Sequence, residues 1–404
     1  MRFELLDGIR GLAAVWVLMV HYGFSDSFRS MFPLLHRLAK QGEMGVTTFF
    51  VISGYCLTAS AWSAMRKNES VTRFLYRRVK RIYPPFWCSL ACVAAIPFVI
   101  EAFSGLKTGV YTPPSADNPR YGFLTYDVWH WLRVATLSQA FYPSDQSIGE
   151  KFTSINAVYW SLAIEVQFYV VVALALACRK RMYLVLFLVT AASAPFALMP
   201  KAYRHGIFLP WWPMFAAGIA LYYCLARGWT PARVFGRYAV AASGFGVGAS
   251  VAAFVGFVAF GGECSHQCFA VCFALVAWLL YGSAGKSLWW VTKLPRVLRI
   301  AAGLWPLLGA MSYSIYLIHG RLQFLVDQLV RQVVRSNSIT RDVLVVCLTC
   351  AACYPFYRWC EAPFFKPRSK PQPSPVGASA ELLPDQGAET GSVLKTRIRE
   401  VVNK

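Results

Sequence analysis

Arg10 and His21 stand eleven residues apart in the first apolar stretch of the chain, LLDGIRGLAAVWVLMVH. A guanidinium or an imidazole is costly in hydrocarbon, so ionisable groups inside such a stretch read first as functional. On an α-helix eleven residues turn the chain through about 1,100°, three turns plus roughly 20°, and advance it about 16 Å, so both side chains share a face. The cation suits a phosphate. The imidazole suits proton transfer near neutral pH. Together they fit a long, phosphate-bearing substrate that enters from one side and reacts at its far end, with His21 expected near the middle of the bilayer.

The elements that must position these groups are membrane spans. Of 404 residues 57% are hydrophobic and 15% charged, and the mean hydropathy is +0.45. Such a chain is all-α and polytopic, and apolar stretches of spanning length predict about ten transmembrane helices: 9–28, 46–64, 84–103, 159–178, 182–199, 208–226, 238–260, 267–285, 301–319 and 343–360. Asp7 and Arg10 interrupt the first stretch and no small-residue cleavage pattern follows it, so it reads as a retained span. With the N-terminus inside, the loops at 65–82, 179–181, 227–237 and 282–300 carry 17 Lys and Arg, against 13 in the longer loops opposite. That bias predicts both termini in the cytoplasm.

The net charge of +21 does not point to nucleic acid, because its densest cluster, RFLYRRVKR at 73–81, lies where one span ends and the next begins. Anionic headgroups or an anionic cofactor are the expected partners. Most of the twelve cysteines fall inside spans, where they behave as small hydrophobes. Cys264, His266 and Cys268 cluster in an outer loop, but no fourth ligand or zinc spacing accompanies them, and no metal is expected. The stretch 104–156 reads as an external loop acting as a lid, with Trp129 and Trp131 at headgroup level. Residues 1–365 form the expected transmembrane domain, and 366–404 a disordered cytoplasmic tail.

Five blocks, in order, carry a resemblance: LDGIRGLAAVWVLMVH, GVTTFFVISGY at 45–55, RRVKRIYP at 77–84, YWSLAIEVQFY at 159–169 and SYSIYLIH at 312–319. Together they resemble the membrane acyltransferase 3 family, bacterial O-acyltransferases of cell-surface glycans, from Leu6 to Phe364. The resemblance implies a multi-pass protein of the bacterial inner membrane that moves an acyl group, most often acetyl, from acyl-coenzyme A to a glycan hydroxyl. The acceptor is a surface glycan, such as a lipopolysaccharide or exopolysaccharide, or its lipid-linked precursor.

Within that resemblance His21 matches the catalytic histidine, acting as a general base or as a transient acyl carrier; the sequence leaves both open. Arg10, Arg78 and Arg81 are the expected contacts to acetyl-coenzyme A, whose phosphates match guanidinium forks. Glu165, an intramembrane carboxylate, is expected to orient His21 or the acceptor, or to hold the bundle together by an ion pair with His21 or an arginine. Ser53, Trp160, Ser161, Tyr316 and His319 are the expected substrate-binding residues, Tyr316 and His319 sharing a face with Tyr313 at three-residue spacing. The sequence departs from the family pattern at Val166, where a second acid is common, and at Gly320 and Arg321, where a proline is usual, so the last loop is expected to be shaped differently. A transporter or flippase for an anionic solute is the alternative class. A basic mouth with intramembrane His and Glu would serve it too, but no inverted repeat is visible.

Overall fold

A computed structural model describes residues 4–115, 119–139, 155–197, 206–261, 265–281 and 296–364. The tail and the segment 140–154 of the long loop lie outside the described residues. All regular structure among the described residues is helical.

Helix α1 spans Glu4–His21 and is followed by the short α2, Asp26–Met31, and α3, Pro33–Lys40. α4 runs Met44–Arg66 and α5 Val71–Thr108, then α6 covers Val128–Thr136. The second half holds α7 Tyr159–Ala177, α8 Met182–Ala197, α9 Trp212–Ala226, α10 Pro231–Phe235, α11 Ala239–Ala259 and α12 His266–Leu280. α13, Arg296–Val333, and α14, Ile339–Phe356, complete it, and α14 continues as tighter and wider helical turns to Phe364.

Among the described residues six helical segments are long and apolar enough to cross a membrane: 44–66, 71–108, 159–177, 209–226, 231–259 and 339–364. α1 is 18 residues long but carries Glu4, Asp7 and Arg10, and α8 and α12 have 16 and 15 residues. The protein is a membrane protein of several spanning helices. Burial sorts their roles. The best window of α4 is 78% buried, whereas in the segment 231–259 only 6% is. An apolar helix that leaves Val240 and Phe245 about four-fifths exposed has lipid as its natural neighbour.

Close backbone approach sets the centre of the bundle. A Cβ on Gly54 of α4 would lie 2.1 Å from the Phe215 carbonyl oxygen of α9, and one on Gly218 of α9 would lie 1.9 Å from the Val51 oxygen. α1 meets α13 in the same way, with Gly11 against the Leu308 backbone and Gly309 against the Asp7 carbonyl. In lipid, where apolar burial no longer drives association, small residues of this kind let helices pack tightly. The glycine of FVISGY therefore permits contact, and α4 is unbroken through it.

The basic cluster at 73–81 is helix, not loop. Ser70 caps α5 by accepting from the Arg73 amide at 3.3 Å, and the helix then runs 38 residues through Pro84, Pro85 and Pro97. At about 1.5 Å per residue it exceeds the hydrocarbon thickness, so its basic first turns project beyond the apolar part. It ends at Gly109, whose φ of +77° is the left-handed cap conformation that glycine adopts without strain. The end of the 301–319 stretch also differs from expectation. Gly320 and Arg321 introduce no loop, and with no proline there α13 carries on to Val333. In α6 Trp129 is exposed, but Trp131 packs edge-on against Phe123 and Tyr126, so only one of the two indoles faces outward.

Candidate active site

Three cavities follow one another through the bundle. The first, about 60 Å³, is lined by Arg10, Arg78 and Arg81 together with Ser53, Glu165 and Tyr169. The second, about 170 Å³, holds His21, Glu43, Thr47, Trp160 and His266. The third is an open vestibule of about 590 Å³ that takes in His21, His319, Asn156 and several charged residues. Val46, Phe50 and Tyr316 border both the first and the second, and His21, Ala157 and Val158 border both the second and the third. The cavities are therefore consecutive, with Arg10 of α1 at the first and His21 of α1 where the second meets the third.

The arginine cavity is made where α1, α4, α5, α7 and α13 meet. Arg78 and Arg81 fall on one face because three residues on a helix return nearly to the same azimuth. The Arg78 guanidinium lies 5.6 Å from the Phe74 ring centroid, and its buried Nε has no hydrogen-bond partner. Glu165 belongs to this cavity. Its Oε1 accepts from Ser53 and from Tyr169, each at 2.8 Å. The carboxylate lies among the arginines, in a cavity that His21 does not border, so the expected Glu165–His21 pairing is not present.

Ser161 and Tyr316 mark the passage between cavities. Their hydroxyls are hydrogen-bonded to each other at 2.5 Å, either one donating, and lie 3.2 and 3.1 Å respectively from the Val158 carbonyl, which accepts from the other. Phe49 meets the Tyr316 ring edge-on at 5.4 Å, and Trp160 stacks obliquely on Trp211 at 4.6 Å. The three-residue spacing along α13 does line one face, and that face follows the path. Tyr313, which donates to the Ile82 carbonyl at 3.1 Å, is at the arginine end; Tyr316 is in the middle; His319 is at the vestibule.

His21 is the last residue of α1 and is exposed to the cavities it borders, not enclosed in mid-helix. Its ring centroid lies 5.4 Å from that of His319. His319 is fully buried, and its Nδ1 contacts two acceptors, the carbonyls of Ile315 and Tyr316, at 3.1 and 2.9 Å. Nδ1 must therefore carry the proton, and Nε2 keeps a lone pair with no partner. Two imidazoles and a hydroxyl passage at the end of a cation-lined route make an arrangement able to move protons.

Several residues here escaped the sequence reading. Glu43 shares a cavity with His21 and lies 4.0 Å from His266 Nε2, while Thr47 meets His266 Nδ1 at 2.7 Å. His266 thus lines the cavity wall; Cys268 is exposed, and Cys264 lies outside the described residues. Glu361 is buried and accepts from the Ser314 amide at 3.0 Å and from the Ser314 hydroxyl. An acid within an apolar run was the available signal for Glu361, and an acid just before GVTTFF for Glu43.

Comparison with known proteins resolves the class. A family model described as an acyltransferase domain matches residues 3–358. The chain belongs to that acyltransferase family. BcsY of Komagataeibacter xylinus, named as a membrane-bound transacylase, is 27% identical over 328 residues, covering 78% of this chain and 71% of BcsY. The peptidoglycan O-acetyltransferase OatA of Listeria monocytogenes is 29% identical over 41% of this chain and 23% of its own length. The acyltransferase MdmB of Streptomyces mycarofaciens is 38% identical over 86 residues, about a fifth of each chain. No solved structure matches. The protein is a membrane acyltransferase.

Proposed function

We propose that this acyltransferase moves an acyl group, most simply acetyl, from acyl-coenzyme A to a hydroxyl of a cell-surface glycan or its lipid-linked precursor. The observation that supports this reading is the succession of cavities, with three arginines at the first and His21 where the second meets the third. Arg10, Arg78 and Arg81 would hold the donor's phosphates by charge-assisted hydrogen bonds. The nucleotide end would stay at the arginine mouth while the acyl-bearing arm reaches along the succession of cavities toward His21.

His21 acts as general base. It takes the proton of the acceptor hydroxyl as that oxygen attacks the thioester carbonyl. When the tetrahedral intermediate collapses, the C–S bond breaks and the imidazolium returns the proton to the departing thiolate. Ser161, Trp160 and Tyr316 shape the passage through which the thioester arrives, Ser53 fixes Glu165, and His319 presents a lone pair to the acceptor. Glu165 balances the arginine charge instead of orienting His21.

The protein is read as lying in a bacterial inner membrane, with about ten spans and both termini cytoplasmic, residues 1–365 forming the catalytic unit and 366–404 a tail. The test is mass spectrometry of surface glycans and glycolipids, before and after mild base, from cells with the intact gene, the deletion, and His21→Ala at matched protein level. A base-labile increment present only with the intact protein supports the reading. An increment that survives His21→Ala overturns the role of His21, and glycans unchanged by deletion overturn the acceptor class.

A further inference from the structure

The vestibule beyond His21 carries charge that proton transfer does not need. It is lined by Arg321, Arg331 and Arg341, all from α13 and α14, and by one carboxylate, Asp327. Arg341 donates to Asp327 Oδ1 through Nε and Nη2 at 3.1 and 2.9 Å, and Arg331 meets Oδ2 through Nε and Nη2 at 2.9 and 2.7 Å. Asp342, the next residue of α14, is turned away and taken up by Tyr22 and Ser25. Two guanidiniums thus share one carboxylate, Arg321 donates instead to the Ile155 carbonyl at 3.3 Å, and Arg331 keeps half of its side chain exposed while Asp327 keeps 11%.

A second observation points the same way. Gln323, on the vestibule wall and 4% exposed, has an Nε2 with no hydrogen-bond partner. An amide donor buried without a protein acceptor is completed by water or by a ligand oxygen, and at the wall of a cation-lined vestibule an oxyanion can supply that oxygen. Fixed cations, one partly exposed and locked in direction by Asp327, beside an unanswered donor and close to the imidazole pair, form a site for an oxyanion.

We propose that this vestibule is an anion subsite for the acceptor, taking a phosphate or a carboxylate carried by the glycan near the hydroxyl to be acylated. Arg331 is its main contact and Gln323 its neutral donor. Arg341 and Asp327 hold Arg331 in place, and His319 Nε2 accepts from a neighbouring sugar hydroxyl. The acceptor is therefore an acidic or phosphate-linked saccharide rather than a neutral one. This deepens the glycan acyltransferase reading and rests on it for the word acceptor; the anion site itself does not.

The test uses the purified full-length chain in lipid nanodiscs, with glucose, glucuronate and glucose 1-phosphate as probes, and binding read by saturation-transfer NMR at low and high salt. The expected result is at least about tenfold tighter binding of one or both charged sugars than of glucose, reduced by salt because the interaction is partly exposed. Arg331→Gln should remove most of that preference, and Gln323→Leu part of it. Arg335→Gln, which removes the same charge outside the vestibule, should leave it intact. A preference for the phosphate alone names a phosphate-linked acceptor, and one for the carboxylate alone names a uronic acid. Equal binding of charged and neutral sugars, or a preference that survives Arg331→Gln, overturns the subsite. If the preference holds while no acyl transfer from acetyl-coenzyme A is found with any acceptor, the anion site stands and the transferase reading fails. If neutral glycans are acylated as well as acidic ones, the transferase stands and the subsite fails.

Discussion

Glu165 accepts a hydrogen bond from Ser53 at 2.8 Å, joining the middle of α7 to the middle of α4 inside the cavity that Arg10, Arg78 and Arg81 line. The same oxygen accepts from Tyr169, so the carboxylate is held from two sides and cannot swing toward the far end of α1. It is the one acidic side chain among the lining residues of that cavity, facing three guanidiniums.

Glu165→Gln should therefore separate charge from hydrogen bonding. The amide oxygen can still accept from Ser53 and Tyr169, so the protein should fold and accumulate. With the negative charge gone, three like charges are left to a bound anion. Coenzyme A should bind about tenfold more tightly, which corresponds to about 1.4 kcal/mol, and product release should slow. Equilibrium binding of coenzyme A to wild type and variant decides it. Unchanged or weaker affinity would mean that Glu165 does not oppose the donor's charge.

Tyr316→Phe tests the passage. Ser161 still has the Val158 carbonyl as acceptor at 3.2 Å after the phenol is removed, so no buried donor is stranded. The expected loss of stability is about 1 kcal/mol or less. The rate of acyl transfer should fall at least about tenfold, because the hydroxyl at the junction of two cavities is gone. Thermal unfolding in detergent and initial rates on the same sample distinguish this from a structural effect, which would lower both together.

How far the sequence reveals this site depends on the length scale involved. The all-helical membrane class, the pairing of Arg10 and His21 on one helix, and the shared face of Arg78 and Arg81 follow from composition and helical period, which are local properties. The grouping of Glu165 with Ser53, 112 positions earlier, does not, since it depends on which helices touch. Span ends also escaped a hydropathy reading. His21 closes α1 because the chain turns at Tyr22–Phe24 toward the Ser25 cap of α2, whereas α5 begins among charges that a capping serine and helix-forming arginines accommodate. The vestibule was invisible because Asp327, Arg331 and Arg341 look like ordinary polar surface until α13 and α14 bring them together.

Gly218→Val is expected to be severe and Gly244→Ala harmless, which makes them a matched pair. At Gly218 an added Cβ meets the Val51 carbonyl oxygen at 1.9 Å and the Tyr55 amide at 2.8 Å, both backbone atoms that cannot move aside cheaply. Helix α9 must then separate from α4, at a cost of about 3 kcal/mol or more. Nothing lies within 4 Å of a Cβ on Gly244, and alanine in a helix interior gains about 0.5–1 kcal/mol over glycine. Fluorescence-detected size-exclusion of tagged variants should show loss of the monodisperse peak for the first and an unchanged or stronger peak for the second.

Asp342→Asn should impair the reaction from a distance. Asp342 is 1% exposed, and it accepts from Tyr22 OH at 3.0 Å, from Ser25 Oγ at 2.5 Å and from the Ser25 amide at 3.1 Å. These groups belong to the turn that directly follows His21, so the carboxylate pins the backbone on which the imidazole sits. An asparagine would set its own N–H groups against donors or give up one of the three bonds. Hydrogen bonds to a charged buried group are worth about 1.5–3 kcal/mol, so the variant should unfold several degrees lower. Because the arginine cavity lies at the other end of α1, the donor's KM should hold while kcat falls. Steady-state kinetics with acetyl-coenzyme A varied at saturating acceptor separates the two constants. A rise in donor KM equal to the fall in kcat would show that Asp342 supports the whole bundle and not the position of His21 in particular.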